Sequence, residues 1–275
     1  MNTSSRTAAV PSEMIQTEHL TKHFGALTAA DDITLSIATG EIFGLIGANG
    51  AGKSTLVKML TTLLPPSSGK ASIAGFDLVT QAAEIRRHIG YVPQLLSADG
   101  DLTGRENMLL SARLYAIPHT ERAPRIAEAL SSMGLTEAAD RLVKHYSGGM
   151  IRRLEIAQAM LHHPVVLFMD EPTVGLDPLA RDAVWDHVRM LRQSFRMTML
   201  VTTHYLEEAD LLCDRIAIMQ RGRVAAVGTP ADLKASIGPG ATLDDVLSHL
   251  TAAGAEQEGG YGDVRRERRS AVTHG

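Results

Sequence analysis

The chain is poor in cysteine, in aromatic residues, in long apolar runs and in excess positive charge. Cys213 is its only cysteine among 275 residues, so no intramolecular disulfide holds the fold, and a reducing, cytoplasmic setting is expected. No stretch approaches the roughly 18 apolar residues of a membrane span. The opening MNTSSRTAAVPSEM has no apolar core of signal-peptide length. If the protein works at a membrane, it must dock on something that spans it. A formal net charge of −4 gives no electrostatic case for a nucleic-acid partner, which favours a clustered cationic surface. No internal repeat is present, and each motif described below occurs once.

What the sequence does contain is enough apolar residue, 44%, for an ordinary globular core. Short apolar strand candidates alternate with helical stretches: IFGLIG then KSTLVKMLTTLL, VVLFMD then PLARDAVWDHVRML, TMLVTTH then YLEEADLLC. This alternation predicts an α/β fold with a mostly parallel central sheet and helices on both faces. Asp177 reads as the N-cap of a helix with Pro178 in its first turn and Val184, Val188 and Leu191 on one face. From Gln94 to Pro164 strand signals vanish and helical patterns replace them, predicting an all-helical subdomain over about 95–163. DRIAIMQRGRVAAVG reads as a hairpin around an Arg-Gly turn, and TPADLKASIG as a helix capped by Thr229. We therefore expect a flexible N-terminus (1–13), a folded domain (14–240), a short helix (241–251) and a flexible tail (252–275). The tail's RRERR cluster is either solvated or a contact for anionic lipid.

Three motifs carry chemistry. GANGAGKST follows one of the strand candidates and opens a helix. Gly47, Gly52, Lys53 and Ser54 fit the phosphate-loop pattern, and Asn49, Gly50, Ala51 and Thr55 complete the loop. Glycines let the backbone wrap phosphates, and the helix N-terminus attracts negative charge. Lys53 is expected to neutralise the β- and γ-phosphates of a triphosphate, Ser54 to ligate Mg²⁺, and Thr55 to support a phosphate oxygen. VVLFMDEP ends a buried strand with two carboxylates: Asp170 is placed to hold the metal, and Glu171 to polarise an attacking water. In HYSGGMIRRLEIAQAML, Ser147 opens a helix while Gly148 and Gly149 allow close backbone approach. That helix start reads either as a second anion site or as a plain cap.

The phosphate loop, YVPQ, YSGGM, VVLFMDEP, GLDP and TTH occur together in this order, and the combination resembles the ATP-binding subunit of ABC transporters over nearly the whole folded length. The resemblance implies an ABC ATPase cassette, a P-loop NTPase fold with an antiparallel β subdomain added to the parallel sheet. It implies ATP and Mg²⁺ as ligands, and a head-to-tail dimer in which Ser147, Gly148 and Gly149 meet the γ-phosphate bound by a second copy. Residue by residue, it implies that Phe24 stacks on adenine, that Gln94 contacts the metal or attacking water, that Asp177 lies in the loop crossing between protomers as well as capping its helix, and that His204 hydrogen-bonds the γ-phosphate.

One departure is informative. The signature is YSGGM, Tyr146 to Met150, where many members carry LSGGQ. This variant, with the ATLDDVLSHLT segment, is similar to the drug- and antibiotic-exporting branch of daunorubicin-resistance type. The implied activity is ATP hydrolysis powering export of a drug, antibiotic or lipid-like molecule through a separate integral membrane permease, at the cytoplasmic face of the membrane. An importer ATPase shares every catalytic motif. A soluble ribosome- or DNA-remodelling ATPase is disfavoured by the single cassette and by the absence of sustained heptads between Lys53 and Ser147.

Overall fold

The computed structural model describes residues 12–252. Two long antiparallel strands open the chain, β1 (Glu13–Phe24) and β2 (Leu27–Ala38), followed by β3 (Ile42–Ile46), α1 (Lys53–Leu60), β4 (Ser68–Ile73), the two-residue β5 (Phe76–Asp77), α2 (Ala82–His88) and β6 (Ile89–Val92). Helices α3 (Gly104–Leu114), α4 (His119–Ser132) and α5 (Gly148–Met160) then form the expected all-helical subdomain. The chain returns through β7 (Val166–Asp170), α6 (Pro178–Phe195), β8 (Thr198–Thr203), α7 (Leu206–Leu212), the hairpin β9 (Arg215–Gln220) and β10 (Arg223–Gly228), and α8 (Pro230–Ala235), and a last helix spans 243–252.

Two sheets result. One is antiparallel, in the order β2-β1-β4-β5; the other runs β10-β9-β3-β8-β7-β6 and is parallel except for β10. The central strands are buried on both sides, as helix-covered parallel strands must be, and period two sorts their side chains between two cores. Ile42, Ile46, Leu167, Met169, Met199, Val201, Ile216 and Ile218 face the core shared with α3 to α6. Phe43, Leu45, Val166, Phe168, Leu200, Ala217 and Met219 face the core shared with α1 and the antiparallel sheet.

Local signals account for the helix starts. Asp177 Oδ1 accepts from the Ala180 amide at 2.9 Å with Pro178 behind it, and Thr229 Oγ1 accepts from Asp232 at 3.1 Å. The domain ends shift slightly from expectation. Glu13 is already in β1, because it pairs with Ala38 across the sheet and its carboxylate accepts from the Ser36 hydroxyl. The last helix starts after Thr242 rather than at Ala241, since Thr242 and Asp245 cap it reciprocally, amide to carboxylate at 2.8 Å and amide to hydroxyl at 3.3 Å. The remainder of the segments expected to be unstructured, 1–11 and 253–275 with RRERR, lies outside the described residues.

Packing is tight where β6 meets α5. A Cβ on Gly90 would stand 2.5 Å from the Ala159 carbonyl oxygen and 3.0 Å from Leu167 Cδ1, whereas one on Gly100 would meet only Lys144 atoms at 3.5 Å and beyond. Cys213 is buried beside Gly44, and burial, helped by nearby Asp214, pushes its thiol up to about 12. Gly90→Ala is expected to cost about 1–3 kcal/mol, and Gly100→Ala little. The check is the thermal midpoint, together with iodoacetamide labelling of Cys213 at pH 8, which should follow unfolding because the buried thiol stays protonated.

Candidate nucleotide site

Sheet order decides what can meet. β3, β8 and β7 are adjacent and parallel, so the segments leaving their carboxyl ends, which begin at Gly47, His204 and Glu171, emerge side by side. Between β3 and α1 the phosphate loop runs in a conformation that only glycine adopts easily. Gly47 and Gly52 have φ of 154° and 104°. A Cβ on either would lie 2.4 Å from a backbone oxygen, Met219 O or Ala29 O. Helix α1 begins with no side-chain cap and no acidic residue in its first turn, leaving its positive end to an anion.

The charged side chains around this loop are buried and hold one another. Lys53, 5% exposed, donates through Nζ to the carbonyls of Gly47 at 2.7 Å and Ala48 at 3.3 Å, and lies 3.6 Å from Glu171 Oε1. Asp170, the last residue of β7, accepts at Oδ1 from Thr202 Oγ1 at 2.6 Å and Ser54 Oγ at 3.3 Å. Its charge, together with burial as the larger cause, lifts the Tyr91 phenol on neighbouring β6 to about 12. Glu171 has a left-handed backbone, φ 47°, pinned by its amide donating to Thr202 at both the carbonyl (3.1 Å) and Oγ1 (2.9 Å). Its Oε2 accepts from Gln94 Nε2 at 3.3 Å and lies 3.3 Å from His204 Nδ1. Thus Glu171 stands at the meeting point of Lys53, Gln94 and His204.

A cavity of about 750 Å³ opens over the loop and is lined by Phe24, Leu27, Asn49, Gly50, Ala51, Gly52, Lys53, Ser54, Thr55, Gln94 and Glu171. Phe24 is half exposed at its rim, with Lys22 Nζ 5.4 Å from its ring centroid. His204 does not line this cavity. Its ring rests on Tyr205, centroids 4.2 Å apart, and it reaches the cavity only through Glu171.

Ser147, Gly148, Gly149 and Asp177 lie together but away from that cavity. Ser147 caps α5 by accepting from Met150 N at 3.3 Å. A Cβ on Gly148 or Gly149 would crowd Leu176 Cδ2 at 3.1 Å or Ala180 Cβ at 3.0 Å, on either side of Asp177. The YSGGM variant has its own packing. Tyr146 donates to Ala138 O at 2.6 Å from a slot that a Cβ on Gly104 would close, 2.3 Å from the hydroxyl. Met150 Sδ accepts from Arg141 at 3.5 Å.

Sequence reasoning missed Thr202, which contacts both Asp170 and the Glu171 amide. The TTH motif contained it, but only the histidine was singled out. It also missed Glu208, buried in α7, which accepts from Thr173 Oγ1 at 2.6 Å and Thr203 Oγ1 at 2.8 Å and so ties the segment after Glu171 to the one before His204. A glutamate in YLEEADLLC carries no local sign of that role.

Known proteins resemble this chain over most of its length. Residues 30–174 match the family model described as ABC transporter. The chain is 45% identical over 83% of its length to the daunorubicin/doxorubicin resistance ATP-binding protein DrrA of Streptomyces peucetius, covering 69% of that protein. It is 39% identical over 89% of its length to the linearmycin resistance ATP-binding protein LnrL of Bacillus subtilis (strain 168), covering 76% of it. Among solved structures, an ATP-binding subunit of an ABC transporter superposes with a TM-score of 0.76 at 33% identity, over 86% of this chain and 99% of the other. A dimeric ATP-binding cassette in a post-hydrolysis state, bound to ADP and Pi, gives 0.70 at 27% identity, over 78% and 98%.

Thr202 provides a test of the site's internal support. Thr202→Val keeps the shape but removes the hydroxyl shared by Asp170 and the Glu171 amide, and should destabilise the fold by about 1–3 kcal/mol. Thr202→Ser should recover most of that loss. Thermal unfolding of the three proteins measures it.

Proposed function

This chain belongs to the ABC transporter family, and from that premise we propose that it is the ATP-hydrolysing subunit of an exporter, working as a nucleotide-sandwich dimer under a separate membrane permease. The observation that carries the reading is the convergence of Lys53, Gln94 and His204 on the Glu171 carboxylate beside the phosphate loop. The names of the relatives, resistance ATP-binding proteins for daunorubicin, doxorubicin and linearmycin, support export of a drug, antibiotic or lipid-like molecule. No helix among the described residues is long and apolar enough to cross a membrane. Leu95 and Leu96, 82% and 52% exposed next to Gln94, are suited to meeting a permease at the cytoplasmic face of the membrane.

In this reading adenine stacks on Phe24 and the phosphates lie along Asn49 to Thr55 and the start of α1. Lys53 exchanges its two loop carbonyls for the β- and γ-phosphates. Ser54 Oγ and Asp170 Oδ1, 3.3 Å apart, form the oxygen-only donor set suited to Mg²⁺, which keeps several waters and takes few protein ligands; Gln94 stands close enough to Glu171 to complete it through water. Mg²⁺ would supply charge neutralisation at the β- and γ-oxygens. Glu171 polarises the attacking water, with Gln94 and His204 fixing its carboxylate and His204 also bonding the γ-phosphate. Ser147, Gly148 and Gly149 of a second copy close the site from the other side, with Asp177 at the crossing. Hydrolysis removes the shared γ-phosphate, weakens the dimer, and passes the opening to the permease through the Gln94 loop and the helical subdomain.

Glu171→Gln should keep ATP binding, lower turnover by about 10²-fold or more, and accumulate an ATP-dependent dimer. Turnover assays and light scattering with ATP–Mg²⁺ read both. Unchanged turnover would remove Glu171 from water activation, and a monomer at every nucleotide concentration would remove the sandwich.

A further inference from the structure

Among the described residues, the largest side chain that is less than 2% exposed is not apolar. It is Arg152, in the second turn of α5 and 1% exposed, paired at 3.0 Å with Glu155, which is 3% exposed. Removing two charges from water is costly, and such a pair is sustained only where further hydrogen bonds satisfy both ends. Here those bonds run to one loop, and of the guanidinium nitrogens only Arg152 Nε has no partner. Arg152 donates to the carbonyl oxygens of Pro93 (2.6 Å) and Gln94 (2.8 Å). Glu155 Oε1 accepts from the Ser97 amide, the Ser97 hydroxyl (3.0 Å) and the Ala98 amide (3.3 Å). Arg152 therefore holds the first end of the loop and Glu155 the second, and the exposed Leu95 and Leu96 form the crest between them.

We propose that Arg152 and Glu155 are positioning residues: a buried latch that locks the Pro93–Ala98 loop to α5, so that Gln94 and the Ser147 end of the helix move as one rigid piece. Neither residue lines the cavity, and the latch acts through its neighbours. Gln94 reaches Glu171 from the latched loop, and Ser147 lies five residues before Arg152 on the latched helix. A push on the leucine crest is thereby delivered to both ends at once, to Glu171 through Gln94 and to a second copy's nucleotide through Ser147. Without the latch the loop can shift while the helix stays. The inference rests on the composite-site reading above, and adds to it the residues that make the loop and the signature helix a single body.

The test uses the full chain and three variants: Arg152→Met, Glu155→Gln and the double Arg152→Met/Glu155→Met. Hydrogen exchange over 95–99 reads the latch directly, independently of any activity. All three variants should exchange the Ser97 and Ala98 amides about tenfold faster or more, with the phosphate loop unchanged. The single Arg152→Met variant, which strands a buried carboxylate, should also lower Tm markedly, and the double should regain much of it because no uncompensated charge remains. The decisive comparison is turnover in the double variant. A latch predicts kcat still down by about 10²-fold at unchanged KM for ATP–Mg²⁺, because the loop carrying Gln94 is no longer held in register with the Ser147 helix although stability has returned. Recovery of kcat and of loop protection along with Tm would overturn the latch and leave the pair as core filling. A wild-type chain without turnover would count against the ATPase reading, while the exchange arm would still decide the latch.

Discussion

The structure depends on keeping a lysine and two carboxylates out of water at the ends of adjacent strands. Lys53, Asp170 and Glu171 are each under 9% exposed, and none of them could be buried singly without a large desolvation penalty. They are tolerable only together and only with Thr202, Ser54, Gln94 and the loop carbonyls supplying the remaining hydrogen bonds. That requirement fixes the order of the parallel strands as firmly as the apolar cores do. β7 must lie beside β8 for Thr202 to reach Asp170, and β3 must lie next on the other side of β8 for Lys53 to reach Glu171. It also makes the loop self-satisfying, since the lysine bonds the carbonyls of its own turn. In the proposed reading, a triphosphate binds by displacing those contacts rather than by filling a site with an idle charge.

This division explains what could be read beforehand. The central strands were legible because burial on both faces leaves a continuous apolar run, and helix starts were legible because a cap is a local event completed within about three residues. Asp177, Thr229 and Ser147 are such cases. β1 and β2 were not identified as individual strands. They alternate buried and exposed residues, are interrupted by register shifts, and carry polar residues such as His19 and Asp32 with positive φ. The antiparallel sheet was expected from the family likeness, not from its residues. Among site residues the motifs brought forward Lys53, Ser54, Asp170 and Glu171. Thr202, Glu208, Arg152 and Glu155 stayed hidden, since their importance lies in partners up to 59 positions away.

The YSGGM signature shows the same dependence on neighbours. A tyrosine at position 146 needs room for its ring and an acceptor for its hydroxyl. Gly104 at the start of α3 supplies the room and Ala138 the acceptor, while Arg141 lies over the ring at 5.3 Å and reaches Met150 Sδ. The altered positions of the signature are therefore tied inward, to the helical subdomain. Ser147, Gly148 and Gly149, which keep the family pattern, form the helix start packed against Leu176 and Ala180. The variation sits on the side that anchors the helix, and the shared residues on the side that the dimer reading assigns to nucleotide.

Glu171 is consequently supported from two directions that do not share residues. On one side Glu208 accepts from Thr173 and Thr203, with Arg181 Nε 3.5 Å from its Oε1 and the guanidinium 4.0 Å from the Tyr205 ring centroid, and so joins the segment after the carboxylate to the segment carrying His204. On the other, the Arg152–Glu155 pair fixes the loop carrying Gln94. The His204 support is built from the α/β body, whereas the Gln94 support is built from the helical subdomain. A rotation of that subdomain relative to the sheet would separate Gln94 from Glu171 while leaving His204 and Lys53 in place. The carboxylate can then lose one of its three partners without the strand ends coming apart, which is the property a site needs if a membrane partner is to switch it through the helical side alone.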